Sequence, residues 1–139
     1  VYSRAASLCD IVIGNDVEFG FMAGDPVLGL DKARSLVAEG AAIAVFKMGE
    51  KGAVTITPEG ETRTGIFETR PLKPTGAGDA FMAGFLASLA GTAPVDEAVR
   101  RGSAAAAIVV ARVGCAPAMP TPEELDRFIN SSAMLPAGA

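Results

Sequence analysis

Two short apolar runs fix the class of this chain before any single residue does. Asp10-Ile-Val-Ile-Gly14 is β-branched between breakers, and Ala41 to Met48 is apolar but for Lys47. Neither alternates with polar residues, as a strand wetted on one face would. Runs of this kind suit strands buried on both faces of a parallel sheet covered by helices. Between them, Asp31 to Glu39 carries Ala33, Leu36 and Val37 on one face and reads as a helix ending at Gly40. Strand, helix and strand in that order predict an α/β fold.

The remainder is consistent with that class. Val54 to Thr57 alternates, Pro58-Glu-Gly60 turns, and Glu61 to Phe67 reads as the return strand of a β-hairpin. Asp79 to Ala90 is an apolar helix stopped by Gly91, and Val95 to Arg112 is a longer one with charge at its start. Gly114 to Pro120 is loop. Thr121-Pro-Glu-Glu-Leu125 opens a last helix with a cap, Pro at the first position and an acidic first turn. The first residues, V-Y-S-R-A-A-S-L, read as the end of a helix, and the tail after Asn130 is expected to fray. No repeat or linker interrupts the pattern, so residues 1–139 are expected to form a single domain.

Composition narrows the chemistry. A net charge of −4 without a basic run argues against nucleic acid as a main partner. The chain has no histidine, which excludes a histidine triad, a histidine metal site and imidazole acid–base work. Proton transfer then falls to carboxylates, lysines or Tyr2. Cys9 and Cys115 lack metal-like spacing and are expected to be buried free thiols of a reducing compartment. The longest unbroken apolar run, Ala104 to Ala111, is shorter than the roughly 20 residues that span a bilayer. No signal peptide is visible, and the expected location is cytoplasmic.

Four stretches carry candidate chemistry. In Lys73 to Gly84, K-P-T-G-A-G-D-A-F-M-A-G, Gly76, Ala77 and Gly78 make a small-residue turn at a helix start. Unpaired backbone N–H groups there, with the positive end of the helix dipole, suit a phosphate. Asp79 among them either caps its own helix or accepts a proton from a hydroxyl. Asn15-Asp-Val-Glu18 reads as a capping box. The same amide and carboxylate at a strand's C-terminal end could also hold Mg²⁺ through its waters. In Lys47-Met-Gly-Glu-Lys-Gly52, Gly49 and Gly52 either serve the turn or let a nucleotide phosphate or ribose approach bare backbone. The patch Ala104 to Ala107 fits close helix–sheet packing or a flat floor for an adenine ring.

These motifs, in this order, resemble the C-terminal half of a PfkB/ribokinase-family sugar kinase, and the resemblance covers nearly the whole chain. It implies a Rossmann-like three-layer α/β/α architecture, here a mostly parallel sheet plus a β-hairpin. Thr75-Gly-Ala-Gly-Asp79 is similar to the signature in which the Asp is the catalytic base and the glycine turn the anion hole. Asn15 and Glu18 match N-x-x-E, which governs Mg²⁺ and phosphate binding. Lys47, Gly49, Glu50 and Gly52 correspond to contacts with the ATP phosphates and ribose, and Ser103, Ala107 and Gly114 to the adenine pocket. D-I-V-I-G-N-D-V-E-F-G-F-M-A-G and L-K-P-T-G-A-G-D-A-F-M-A-G-F resemble the branch acting on 5-dehydro-2-deoxygluconate, a step of inositol breakdown. The 2-keto-3-deoxygluconate kinases share much of this pattern. The implied reaction moves the ATP γ-phosphoryl group to a primary hydroxyl of a sugar acid, with no membrane partner and with room for a homodimer. The rival is a non-catalytic nucleotide-binding module.

Three departures from the family stand out. Lys73 replaces an Asp that helps bind a monovalent cation, so its ammonium is expected where potassium would sit and no potassium activation is expected. Ala118 stands where a hydroxyl residue is common, and Ser103 where an Asn near the adenine is frequent. Family members are also considerably longer, and the N-terminal half with the sugar pocket and most of the lid is expected to be absent from this stretch.

Overall fold

The computed structural model describes residues 2–138, which fall into two compact units, residues 2–63 and 64–138. Each is taken by itself. In the first, α1 (Tyr2–Ala6) leads to β1 (Ile11–Asn15), α2 (Asp16–Ala23), α3 (Gly29–Ala38) and β2 (Ile43–Lys47). A 3₁₀ turn (Gly49–Lys51) then precedes β3 (Ala53–Thr57) and β4 (Gly60–Thr64). The strands form one sheet in the order β1-β2-β3-β4.

Connection length sets the strand directions. Two helices separate β1 from β2, ample for a crossover, and these strands run parallel with Ile13 opposite Val45. Only Met48 to Gly52 separates β2 from β3, so the chain returns antiparallel, with Phe46 opposite Val54. The sheet is therefore mixed. Residues Ile43 to Phe46 are all buried, as their unbroken apolar run requires. Phe46, Val54 and Ile56 pack with Phe19 of α2 and with Ala33 and Leu36 of α3 to make the unit's core. Gly20 brings α2 close to the chain that follows it: a Cβ there would lie 2.8 Å from the Cα of Pro26. Arg34 of α3 ties the hairpin down through Glu61 at 2.6 Å and also holds Asp31 at 2.8 Å.

The second unit runs β5 (Ile66–Phe67), α4 (Ala77–Ala90), α5 (Val95–Val110), α6 (Pro122–Ser131) and β6 (Met134–Leu135). Small residues let α4 and α5 meet at near-backbone distance. A Cβ on Gly102 would come within 2.8 Å of the Phe81 carbonyl, and one on Gly84 within 3.2 Å of the Ala105 Cβ. The alanine patch of α5 is thus a packing surface: Ala104, Ala105 and Ala107 are buried with Phe67, Val109, Leu125 and Ile129. The cap at Thr121 forms, its hydroxyl accepting from the Glu124 amide while the Glu124 carboxylate accepts from the Thr121 amide. Among the described residues, no helix is long and apolar enough to cross a membrane.

Three local expectations are corrected. The return strand does not run through to Phe67: β4 stops at Thr64, and Ile66 and Phe67 pair instead with Leu135 and Met134. Gly65 makes the break, because a Cβ there would overlap the Leu135 carbonyl. By the same pairing the tail does not simply fray after Asn130: Met134 packs on the buried core around Phe67. Finally, Cys9 and Cys115 are free but exposed, not buried. Both sit in connections between elements, Cys9 between α1 and β1 and Cys115 between α5 and α6, so neither faces a core.

Candidate active site

At the start of α4 the small-residue turn does what its composition suggests. Gly76 is the N-cap residue with φ 90° and ψ −6°, a left-handed conformation that a Cβ would disfavour. No side chain caps this helix. The Ala77 amide donates to the Pro74 carbonyl at 3.3 Å, and the Gly76 carbonyl accepts from Ala80 at 3.0 Å. The amides of Gly76, Gly78 and Asp79 meet no acceptor among the described residues. A helix N-terminus with open donors suits an anion.

Asp79 is the third residue of this helix, exposed, and neither capping nor ion-paired among the described residues. Of the two readings of its carboxylate, the cap is therefore not formed. A carboxylate in the same turn as open amide donors can accept a hydroxyl proton while those donors meet a developing negative charge.

Lys73 and Cys115 border the turn. The Lys73 ammonium donates to the Thr75 carbonyl at 2.6 Å and lies 3.6 Å from the Cys115 sulfur. A Cβ on Gly76 would stand 3.3 Å from Val109 Cγ1 and 3.4 Å from that same sulfur. Cys115 was not legible as a neighbour of the turn. Its only signal was its place after Gly114, which adopts φ 91°.

In the first unit the capping box of Asn15 and Glu18 is complete. The Asn15 side chain accepts from the Glu18 amide at 2.8 Å, and Glu18 Oε2 accepts from the Asn15 amide at 2.6 Å. Glu18 Oε1, at the carboxyl end of β1, meets no hydrogen-bond donor among the described residues. Oxygen donors of this kind, an amide and a carboxylate, fit a hard divalent cation that keeps part of its water shell. Lys47 closes β2 opposite Asn15. Beyond it Gly49 (φ 59°) and Gly52 (φ 89°) carry the turn, closed by Met48 N–H to the Gly52 carbonyl at 2.8 Å. The turn reading of these glycines is realised. A Cβ on Gly49 would meet nothing within 4 Å, so its outer face is open, and Glu50 beside it is exposed.

Ser103 and Ala107 are placed differently from the other candidates. Ser103 is buried with its hydroxyl donating to the Gly65 carbonyl at 3.4 Å, and Ala107 lies within the hydrophobic cluster. Their side chains are committed to holding α5 in its own unit.

Comparison with known proteins agrees with these motifs. Residues 1–122 match the pfkB family carbohydrate kinases. The 5-dehydro-2-deoxygluconokinase of Geobacillus kaustophilus is 38% identical over 133 residues, which cover 93% of this chain and 40% of that protein. That of Shouchella clausii is 37% identical over 131 residues, again 93% of this chain and 40% of the relative. The chain thus spans well under half the length of these relatives. Among solved structures, the ribokinase of Thermotoga maritima superposes with a TM-score of 0.84 at 26% identity, over 93% of this chain and 45% of that one. The aminoimidazole riboside kinase of Salmonella enterica, solved with aminoimidazole riboside and an ATP analogue, gives 0.81 at 29% identity, over 93% and 45%. With a ribokinase-like fold and the family's sequence pattern along most of its length, the chain belongs to the pfkB family of carbohydrate kinases.

Proposed function

We propose that this chain is the ATP-binding and catalytic part of a cytoplasmic sugar kinase, and that its acceptor is the primary hydroxyl of 5-dehydro-2-deoxygluconate. The observation that carries the reading is the uncapped start of α4, where the amides of Gly76, Gly78 and Asp79 and the Asp79 carboxylate have no partner among the described residues. The substrate rests on the names of the curated relatives. Those relatives are longer than this chain, which covers 40% of the first of them.

In this reading Asp79 accepts the proton of the attacking hydroxyl as its oxygen approaches the γ-phosphorus. The open amides receive the negative charge that gathers on the equatorial oxygens of the transferred group. Lys47, Gly49, Glu50 and Gly52 are assigned to the ATP phosphates and ribose, and the loop at Gly114 to the adenine side. Ser103 and Ala107 contribute by fixing α5 and do not touch the base with their side chains. Asn15 and Glu18 would hold Mg²⁺ through water, and the ion when bound neutralises phosphate charge. The residues 1–139 are proposed to serve one function, nucleotide binding and phosphoryl transfer.

Titration calorimetry of the 139-residue chain with Mg-ATP tests the reading. Saturable binding is expected, weakened by Glu18→Gln and by Gly78→Leu, the second placing bulk where the phosphate would sit. A folded chain that takes up no Mg-ATP, or one whose binding ignores both substitutions, overturns it.

A further inference from the structure

We propose that Lys73 is a positioning residue for the Gly76–Asp79 turn: its ammonium orients and polarises the peptide that carries the Gly76 N–H. The functional consequence rests on the phosphate reading of that turn; the structural consequence does not. Both Leu72 and Lys73 donate their amides to the Val110 carbonyl, at 2.7 and 3.2 Å, which pins this segment to the end of α5. From that anchor the Lys73 side chain reaches two residues forward and donates to the Thr75 carbonyl at 2.6 Å. That is the short distance expected when the donor is charged.

The contact matters because of which peptide it touches. The Thr75 carbonyl and the Gly76 N–H belong to one planar peptide group, so holding the oxygen aims the hydrogen. A cation on the oxygen also draws electron density from the amide, making its N–H a better donor to an anion. The Gly76 N–H is one of the open donors of the turn. The turn is also backed by Val109 and Cys115, against which a Gly76 Cβ would already be tight, and the Cys115 thiol donates weakly to the same Thr75 carbonyl at 3.9 Å. The ammonium itself lies 3.6 Å from the Cys115 sulfur, so its position is bounded from two directions. Lys73 thereby acts through the backbone and needs no contact with a substrate.

Two measurements on the 139-residue chain test this. In amide correlation spectra without ligand, Lys73→Met is expected to move the Gly76 cross-peak further than any other outside residues 71–77. In calorimetry with Mg-ATP, Lys73→Ala is expected to bind about tenfold more weakly, the usual scale for losing a charge-assisted hydrogen bond. Ethylammonium, which can replace the missing N–H donor, is expected to restore binding, while tetramethylammonium at equal ionic strength is not. An unmoved Gly76 peak, or equal effects of the two cations, overturns the proposal. If the unaltered chain takes up no Mg-ATP, the nucleotide reading fails on its own, and the Gly76 peak still decides whether Lys73 positions the turn.

Discussion

Asn15 and Lys47 stand opposite each other as the last residues of the parallel strands β1 and β2. The register places the capping box of Asn15 and Glu18 and the turn Lys47 to Gly52 at one end of one sheet. That end, outside the carboxyl termini of the strands, is where open α/β sheets receive ligands. Because Glu18 also caps α2, removing its side chain would confuse folding with function. Glu18→Gln keeps an acceptor for the Asn15 amide and deletes only the charge. This variant is expected to retain the unfolding midpoint within a few degrees while its affinity for Mg-ATP falls more than its affinity for metal-free ATP. Equal losses for the two ligands would remove Glu18 from the metal assignment.

Asp79 allows a sharper test, since its carboxylate has no structural partner among the described residues. In a kinase of the relatives' length carrying this stretch, Asp79→Asn is expected to lower turnover by roughly 10²–10⁴, the range for losing a general base. Mg-ATP affinity should change little. Near-full turnover in the variant would defeat the assignment.

The seat of the Lys73 ammonium on the Thr75 carbonyl leads to an expectation about salts. With a fixed cation already on that oxygen, added potassium is expected to leave turnover of the same full-length kinase unchanged at constant ionic strength. A several-fold rise on replacing sodium with potassium would contradict it.

Gly65 separates two sheets and has no room for a side chain beside Leu135. Gly65→Ala is expected to destabilise the second unit by about 1–3 kcal/mol, the scale of an overpacked site. Urea unfolding measures the loss, and faster amide exchange at Phe67 would locate it. An unchanged urea midpoint would show that the β5–β6 pair gives way without cost.

Acid stability should respond to Glu124. Its carboxyl is held below the ordinary value of 4.5, first by the Thr121 amide and then by the Arg112 guanidinium. A carboxyl lowered on folding adds stability that is fully present above its unfolded value and is lost as pH falls through its folded one. The urea midpoint is therefore expected to drop from about pH 5 downward, and to drop less in Glu124→Gln. Because Glu61 is lowered in the same way by Arg34, part of the acid loss should remain in that variant. Identical acid profiles for the two proteins would show that the Thr121–Glu124 cap is not maintained in solution.

What the sequence revealed follows from the range of the forces involved. The caps at Asn15 and Thr121 were legible because donor and acceptor lie three residues apart. The double burial of β2 was legible because its apolar run is continuous. The turn at Gly76 was legible because so few residues tolerate its backbone angles. The β5–β6 pair was hidden: two-residue strands carry no periodicity, and the two strands stand at opposite ends of the unit's sequence. The exposure of Cys9 and Cys115 was hidden because a cysteine's composition does not say which way its connection faces. The contact of Lys73 with Thr75 was hidden because a flexible side chain's direction is settled only by its surroundings.

The pairing of Ile66 with Leu135 has a consequence for gene construction. It brings the entry and the exit of residues 64–138 side by side, so the unit's chain path is nearly a closed ring. A closed path can be opened elsewhere. Joining the two ends with a short linker and starting the polypeptide at the exposed connection near Thr92 would preserve every helix of the unit, because only the order of translation changes.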